Sequence, residues 1–207
     1  MNSLIDFDLK QLKEYDYLIG IDEVGRGCLA GPLVVCGIIM NYDDCLLEVN
    51  DSKKLSIKKR EQLYLEILKR CVAYFVVEIT PKRIDEFNIY QATKKAMQQV
   101  AKKLTQKNTL ILSDAMSLDL TNNEAIIKGD ETSYAIACAS IVAKVYRDNL
   151  MKDLALQYPK YDFENNKGYG TKKHLLALQQ YGYLDNVHRK SFEPIKTMCS
   201  QQIKFKF

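Results

Sequence analysis

Residues 17–40 read YLIGIDEVGRGCLAGPLVVCGIIM, and the fold turns on how this stretch is parsed. An apolar run (Tyr17, Leu18, Ile19, Ile21) stops at Asp22 and Glu23. A turn containing Gly25, Arg26, Gly27, Gly31 and Pro32 follows, and residues 33–40 resume as a second apolar run. Two β-strands about a glycine-rich turn are the direct reading. Strand side chains alternate, so Asp22 and Glu23 face opposite ways unless the strand ends or bulges there. Burying a carboxylate unpaired is expensive, and a bound cation is one remedy. A strand leaving the core into an acidic turn is the plainer account of the same two residues.

Outward from this stretch, the 207 residues are 47% hydrophobic and 27% charged, an ordinary globular composition for one domain or one domain with a small appendage. No apolar run is long enough for a bilayer and the first residues lack the form of a signal peptide, so a cytoplasmic location is expected. Six cysteines occur without a CxxC pair, and there are only two histidines. A zinc cluster is therefore not expected, and free thiols are. The net charge is only +4, but basic residues concentrate at 53–60, 94–107 and 167–196, which suits a polyanionic partner. Such runs are also ordinary solvated faces.

Periodicity predicts strands over 17–22, 33–40, 73–79, 109–112 and 125–127. It predicts a helix from a Ser56 cap to about Cys71, burying Leu63, Ile67, Leu68 and Cys71. Pro81 opens a short helix, and residues 89–104 form a longer one with Ala92, Ala96, Met97, Val100 and Leu104 on one side. Thr132 or Ser133 caps a helix to about Tyr158, with Tyr134, Cys138, Ile141, Val142 and Val145 inward. Residues 1–16 read as peripheral. Beyond Pro159 a polar, glycine-punctuated loop leads to a short helix from Thr171. The expected organisation is α/β, with a catalytic domain over 1–158 and a loop and helical appendage over 159–207.

Three of the apolar runs end in acids: Asp22 with Glu23, then Asp114, then Asp130. In an α/β sheet such carboxylates converge outside the carboxyl ends of the strands, where they repel one another unless divalent cations lie between them. Oxygen-only ligands favour Mg²⁺ or Mn²⁺, and paired hard cations suit in-line displacement at phosphorus. A lone strand-end Asp is more often a cap or turn residue. Gly25, Arg26 and Gly27 offer closely approachable backbone, an anion-binding nest and a planar donor fork. Tyr169, between Gly168 and Gly170, can stack on a sugar or base or tuck onto the core. His188, Arg189 and Lys190 read either as a phosphate grip or as a solvated basic turn.

Taken together, IDEVGRGCLAGP, DSKKLS (51–56), KGDETSYAIACASIVAKVYRD (128–148), KGYGT and HRKSF (188–192) resemble, in order and spacing, ribonuclease HII. The resemblance spans roughly residues 18–196. The sister family, ribonuclease HIII, is similar but carries a small hydroxyl residue where this chain has Arg26. The resemblance implies a ribonuclease H-like mixed sheet flanked by helices, with a small helical C-terminal appendage. It implies an endonuclease acting on RNA-DNA hybrids and on ribonucleotides embedded in duplex DNA. Such enzymes cut 5′ of the ribonucleotide, leave a 3′-hydroxyl and a 5′-phosphate, and serve ribonucleotide and primer removal.

By the same resemblance, Asp22, Glu23, Asp114 and Asp130 hold two divalent cations, Mn²⁺ or Mg²⁺. Gly25, Arg26 and Gly27 sense the 2′-hydroxyl, and Tyr169 stacks on the following sugar. Lys53, His188 and Arg189 hold backbone phosphates. The family has Gly where this chain has Ala115 and Pro where it has Cys28, and Asp119 is a near neighbour of Asp114. A monomer is expected. The tail at 201–207, QQIKFKF, faintly resembles peptides that dock on the sliding clamp, though an amphipathic tail on its own domain fits the same residues. Two rivals remain: a hybrid-binding protein without catalysis, and another two-metal nuclease of similar fold.

Overall fold

The structure is a computed structural model that describes residues 2–50 and 52–204, with side chains in the last helix described to residue 201. Asp51, the first residue of DSKKLS, and residues 205–207 of the tail read as a clamp-docking peptide lie outside that set, while residues 201–204 are described as the end of the last helix. In chain order the elements are α1 (Ser3–Gln11), β1 (Tyr17–Val24), β2 (Leu33–Met40), α2 (Ile57–Arg70), β3 (Cys71–Ile79), α3 (Pro81–Phe87) and α4 (Ile89–Leu104). There follow β4 (Thr109–Asp114), β5 (Asn123–Ile126), α5 (Tyr134–Gln157), α6 (Phe163–Asn166), α7 (Lys172–Tyr181) and α8 (Ile195–Lys204).

The strands form one sheet in the order β3-β2-β1-β4-β5. β1 is antiparallel to β2 and parallel to β4, and β4 is parallel to β5, so the sheet is mixed. Two strand glycines explain how helices cover it. A Cβ on Gly20 would fall 2.2 Å from the backbone of Ala135 in α5, and one on Gly37 would fall 2.2 Å from Val100 in α4. Gly37 pairs with Ile21, the residue after Gly20, so the two glycines open opposite faces of the sheet. Each glycine admits one helix to van der Waals distance, where any side chain would force it away.

Ser56 and Thr171 cap α2 and α7 through their hydroxyls, as the sequence predicts, and α3 opens at Pro81 with Thr80 as its cap. Strand β1 is longer than predicted, because pairing with β2 continues to Val24 opposite Val34. Asp22 and Glu23 thus lie within the strand. Residues 1–16 are not merely peripheral: α1 buries Leu4, Ile5 and Asp8, and Phe7 packs against Leu18, Leu110 and Ile136. The short, polar-looking helix escapes a periodicity reading because its buried polar residue breaks the apolar pattern.

The chain gathers into two compact units. The first holds the segments through Val24, Val34–Val77 and Thr93–Val145. The second holds Gly25–Leu33, Glu78–Ala92 and the chain from Tyr146 onward, around a core that includes Leu29, Met151, Tyr161, Phe163, Leu178 and Ile195. The stretch after residue 159 therefore shares its core with two earlier segments, one of them the glycine turn.

Asp8 carries a prediction. Its Oδ2 accepts hydrogen bonds from the Tyr42 hydroxyl (2.7 Å) and the Ala135 amide (2.8 Å) at the start of α5. Burial outweighs these bonds and pushes the carboxyl from its ordinary 3.8 up to about 6. The folded state then holds the proton more tightly than the unfolded chain. Its stabilising contribution is full below about pH 4 and is lost as pH rises through about 6. At about 1.4 kcal/mol per pH unit, urea unfolding should show the stability difference between wild type and Asp8→Asn changing by about 3 kcal/mol across that window. Parallel curves would contradict it.

Candidate active site

The acids are assembled by strand pairing. Parallel register sets Ile21 beside Ser113, which brings Asp22 of β1 and Asp114 of β4 to adjacent strand ends. Asp114 Oδ1 accepts the Gly129 amide at 2.7 Å, and this bond draws in the 3-10 turn Gly129–Glu131 that carries Asp130. Asp22 shares the α5 face with Gly20 by alternation and takes a hydrogen bond from Ser140 of α5. Ser140 Oγ lies 3.0 Å from Ser52 Oγ, beside Lys53. Alternation turns Glu23 from that face, yet its charge still bears on Asp22.

The electrostatics are those of crowded acids. Asp22 is 6% exposed, and burial, then the charges of Glu23 and Asp114, push its carboxyl well above the usual carboxylate range. Lys53 supplies the opposing charge at Asp130, with Nζ 3.1 Å from Oδ2. Among the described residues no three His, Cys, Asp or Glu side chains stand ready as a metal cage. Each aspartate instead accepts from the chain: Asp22 from the Glu23 amide, Asp114 from Gly129, Asp130 from Lys53. The donor set nevertheless fits a hard divalent cation, since it is all oxygen and its buried member is short of positive charge.

The glycine turn belongs to the second unit and is held from beneath by two arginines, each 0% exposed. Arg147 donates to the carbonyls of Pro32 (2.8 Å), Ala30 (3.1 Å) and Lys167 (2.8 Å). Arg189 donates to Arg26 (2.8 Å) and through two nitrogens to Gly31 (3.2 and 3.0 Å). Buried guanidinium charge is tolerated because carbonyl oxygens take its protons, and burial lowers Arg189 only to about 10. The same braces join the turn to the KGYGT loop, where the Leu29 and Ala30 amides donate to the Gly168 carbonyl at 2.8 and 3.2 Å.

The two motif glycines have different reasons. Gly25 has φ +95°, and a Cβ there would lie 2.3 Å from Arg147 Nε, so its own chain requires it. A Cβ on Gly27 would meet nothing within 4 Å. Gly27 is the open backbone that a ligand can approach. Tyr169 is 42% exposed, with its hydroxyl against Cys28, so its ring is half presented and half held.

His188 and Arg189 require correction. They are 1% and 0% exposed, and Arg189 gives its donors to backbone carbonyls, so neither can grip a phosphate. HRKSF is a structural brace: the Arg189 guanidinium satisfies orphan carbonyls of the turn, and the His188 ring is taken up by the Leu184 amide and by His174. Lys190 does reach solvent and pairs with Asp185. Sequence reasoning misses Arg147, Ser140, Ser52 and His174; α5 also carries Lys144, Asp148, Lys152 and Asp153, so nothing local singles out Arg147.

Comparison with known proteins agrees with this architecture. The sheet is that of the ribonuclease H-like fold. Ribonuclease H2 from Pyrococcus horikoshii superposes with TM-score 0.76 at 25% identity, covering 91% of this chain and 99% of its own. Ribonuclease HII of Archaeoglobus fulgidus, in a structure of its complex with PCNA, gives 0.72 at 28% identity over 85% and 95%. The family model for ribonuclease HII matches residues 19–195, and a ribonuclease HII of Macrococcus caseolyticus is 48% identical over 94% of this chain and 76% of its own. The chain belongs to the ribonuclease HII family and is a ribonuclease H, an endonuclease of RNA in RNA-DNA hybrids.

Ala115 stands at φ +49°, left-handed backbone that disfavours a Cβ, with its amide on Ile126. Chemical denaturation should find Ala115→Gly more stable by about 0.5–1 kcal/mol, the relief of that strain less the extra freedom of unfolded glycine. The same measurement should show Gly25→Ala destabilised by about 1–3 kcal/mol and Gly27→Ala changed by less than about 0.5. Equal losses at the two glycines would contradict their assignment.

Proposed function

We propose that the chain nicks duplexes on the 5′ side of ribonucleotides, both in RNA-DNA hybrids and at single ribonucleotides embedded in DNA, leaving a 3′-hydroxyl and a 5′-phosphate. The observation that carries this reading is Gly27, whose open backbone follows the acid pair by four positions in the chain. A backbone group that approaches a ligand so closely suits the 2′-hydroxyl, the one group that separates RNA from DNA. Only Val24 separates Glu23 from Gly25 in the chain, so the residues read as ribose-selecting follow directly on the acid pair in sequence.

Asp22, Asp114 and Asp130, completed by Glu23, would hold two Mg²⁺ or Mn²⁺ ions, which when bound supply Lewis acidity and an activated water at the phosphodiester. The chain's own residues do the rest. Ser140 and Ser52 fix Asp22 against α5, and the Gly129 amide fixes Asp114, so the carboxylates keep their places when the charge around them changes. Lys53, with a side chain 78% exposed, exchanges Asp130 for a substrate phosphate. Arg26 offers its fork at the solvent side of the turn, and Tyr169 stacks on the sugar after the ribonucleotide. In the cell this activity would serve ribonucleotide and primer removal in the cytoplasm. The PCNA complex of the archaeal relative supports a sliding clamp as a partner, and deletion of residues 201–207 tests whether the tail carries that contact.

A DNA duplex with one ribonucleotide, incubated with Mg²⁺ or Mn²⁺, should be nicked once, while an all-DNA duplex stays intact. Asp22→Asn should cut at least about a thousandfold more slowly and still bind the duplex. Cleavage of all-DNA duplex would favour a general two-metal nuclease, and binding without cleavage by wild type in either metal would favour a mere hybrid-binding protein.

A further inference from the structure

Two imidazoles that the reaction does not use lie back to back in the second unit. His174 and His188 are 0% and 1% exposed, with Nε2 atoms 3.1 Å apart. His188 Nδ1 receives the Leu184 amide at 2.9 Å, and His174 Nδ1 lies 2.9 Å from the Tyr169 carbonyl. The two ends dictate the protons. An amide only donates, so His188 Nδ1 must be bare and its proton sits on Nε2. A carbonyl only accepts, so His174 must carry its proton on Nδ1 and offer a bare Nε2. The middle contact is then one N–H donating to one nitrogen, and every bond is filled when both rings are neutral.

We propose that His174 and His188 are a positioning pair that sets Tyr169, holding its backbone carbonyl through this single order of tautomers. The proposal rests on the reading of Tyr169 as a substrate contact. The KGYGT loop has Gly168 at φ +85° and a half-exposed ring, so it needs an anchor between its glycines. The His174 bond supplies a side-chain hold on the Tyr169 carbonyl, one residue before Gly170, beside the Thr171 amide that meets the same oxygen at 2.8 Å.

The order tolerates no added proton: one on His174 Nε2 would oppose the His188 N–H, and one on His188 Nδ1 would oppose the Leu184 amide. The surroundings offer no compensation. Phe163 meets His174 edge-on at 5.4 Å, and Tyr161 lies 5.3 Å from His188. On the His188 side, Lys82, Asp85, Glu86 and Lys190 line a cavity of about 440 Å³. There the Asp85 carboxylate is engaged by the amides of Lys190 and Ser191. Arg189 turns its guanidinium to the glycine turn. Burial, not a carboxylate, governs both rings and lowers His188 to about 4.

Long-range proton-nitrogen spectra of the wild-type protein at neutral pH should show His188 as the Nε2–H tautomer and His174 as the Nδ1–H tautomer. The reverse order, mixed tautomers or a charged ring would overturn the proposal. On a duplex with one ribonucleotide, His174→Phe keeps the ring volume but loses the donor, and should raise KM about fivefold with little change in kcat. His174→Asn, whose amide can still donate to Tyr169, should return KM to near wild type. Equal impairment of both variants would mean the ring is only packing, and would overturn the proposal. Unchanged KM in Tyr169→Ala would instead remove the substrate role of Tyr169, while the spectra still decide the tautomer order.

Discussion

The structure depends on the contact between β1 and the start of α5 at Gly20. That contact lets the Ala135 backbone approach where a Cβ would stand at 2.2 Å, and it sets α5 directly over the strand that carries Asp22. Parallel pairing of β1 with β4 then brings Asp114 alongside. Three consequences share this origin: Asp22 is desolvated, it gains Ser140 as a donor, and it lies within the field of another carboxylate. Any one of them would raise a carboxyl or orient it; together they make a buried acid that is short of positive charge. Such strain is the usual signature of a functional site, because folding alone would favour an apolar residue there.

The second unit meets the opposite problem with the same economy. A turn rich in glycine leaves carbonyls without partners, and Arg147 and Arg189 satisfy four of them, at Arg26, Ala30, Gly31 and Pro32, with a fifth at Lys167 of the KGYGT loop. Two buried cations without carboxylate partners would be costly, on the order of several kcal/mol each, if their donors were not filled. The turn and the KGYGT loop are therefore one braced object, and motif residues that look like substrate grips in the sequence serve as its scaffold. Gly27 and the ring of Tyr169 remain as the parts offered outward.

Much of this was legible in the residues. The cap hydroxyls of Ser56 and Thr171, the opening of α3 at Pro81 and the apolar stripe of α4 follow local rules that tertiary contacts reinforce. What escaped was long-range. Nothing near Asp8 in sequence announces that it reaches Tyr42 and Ala135, and nothing near Arg189 announces that its charge is buried against Gly31. Basic residues were read as solvated or phosphate-binding because that is where most of them sit; burial of a guanidinium needs carbonyls from residues far away in the chain. Ala115 departs from the glycine of the family pattern, and its φ of +49° supplies the reason glycine is the easier residue there.

The central claim is that burial and repulsion at Asp22 are relieved by a divalent cation. Thermal unfolding of wild type and Asp22→Asn, each with and without Mn²⁺, tests it without reference to turnover. The account predicts that the variant melts higher than wild type in the absence of metal, and that Mn²⁺ raises the melting temperature of wild type far more than that of the variant. A variant that is no more stable than wild type, with an equal response to Mn²⁺ in both proteins, would contradict it.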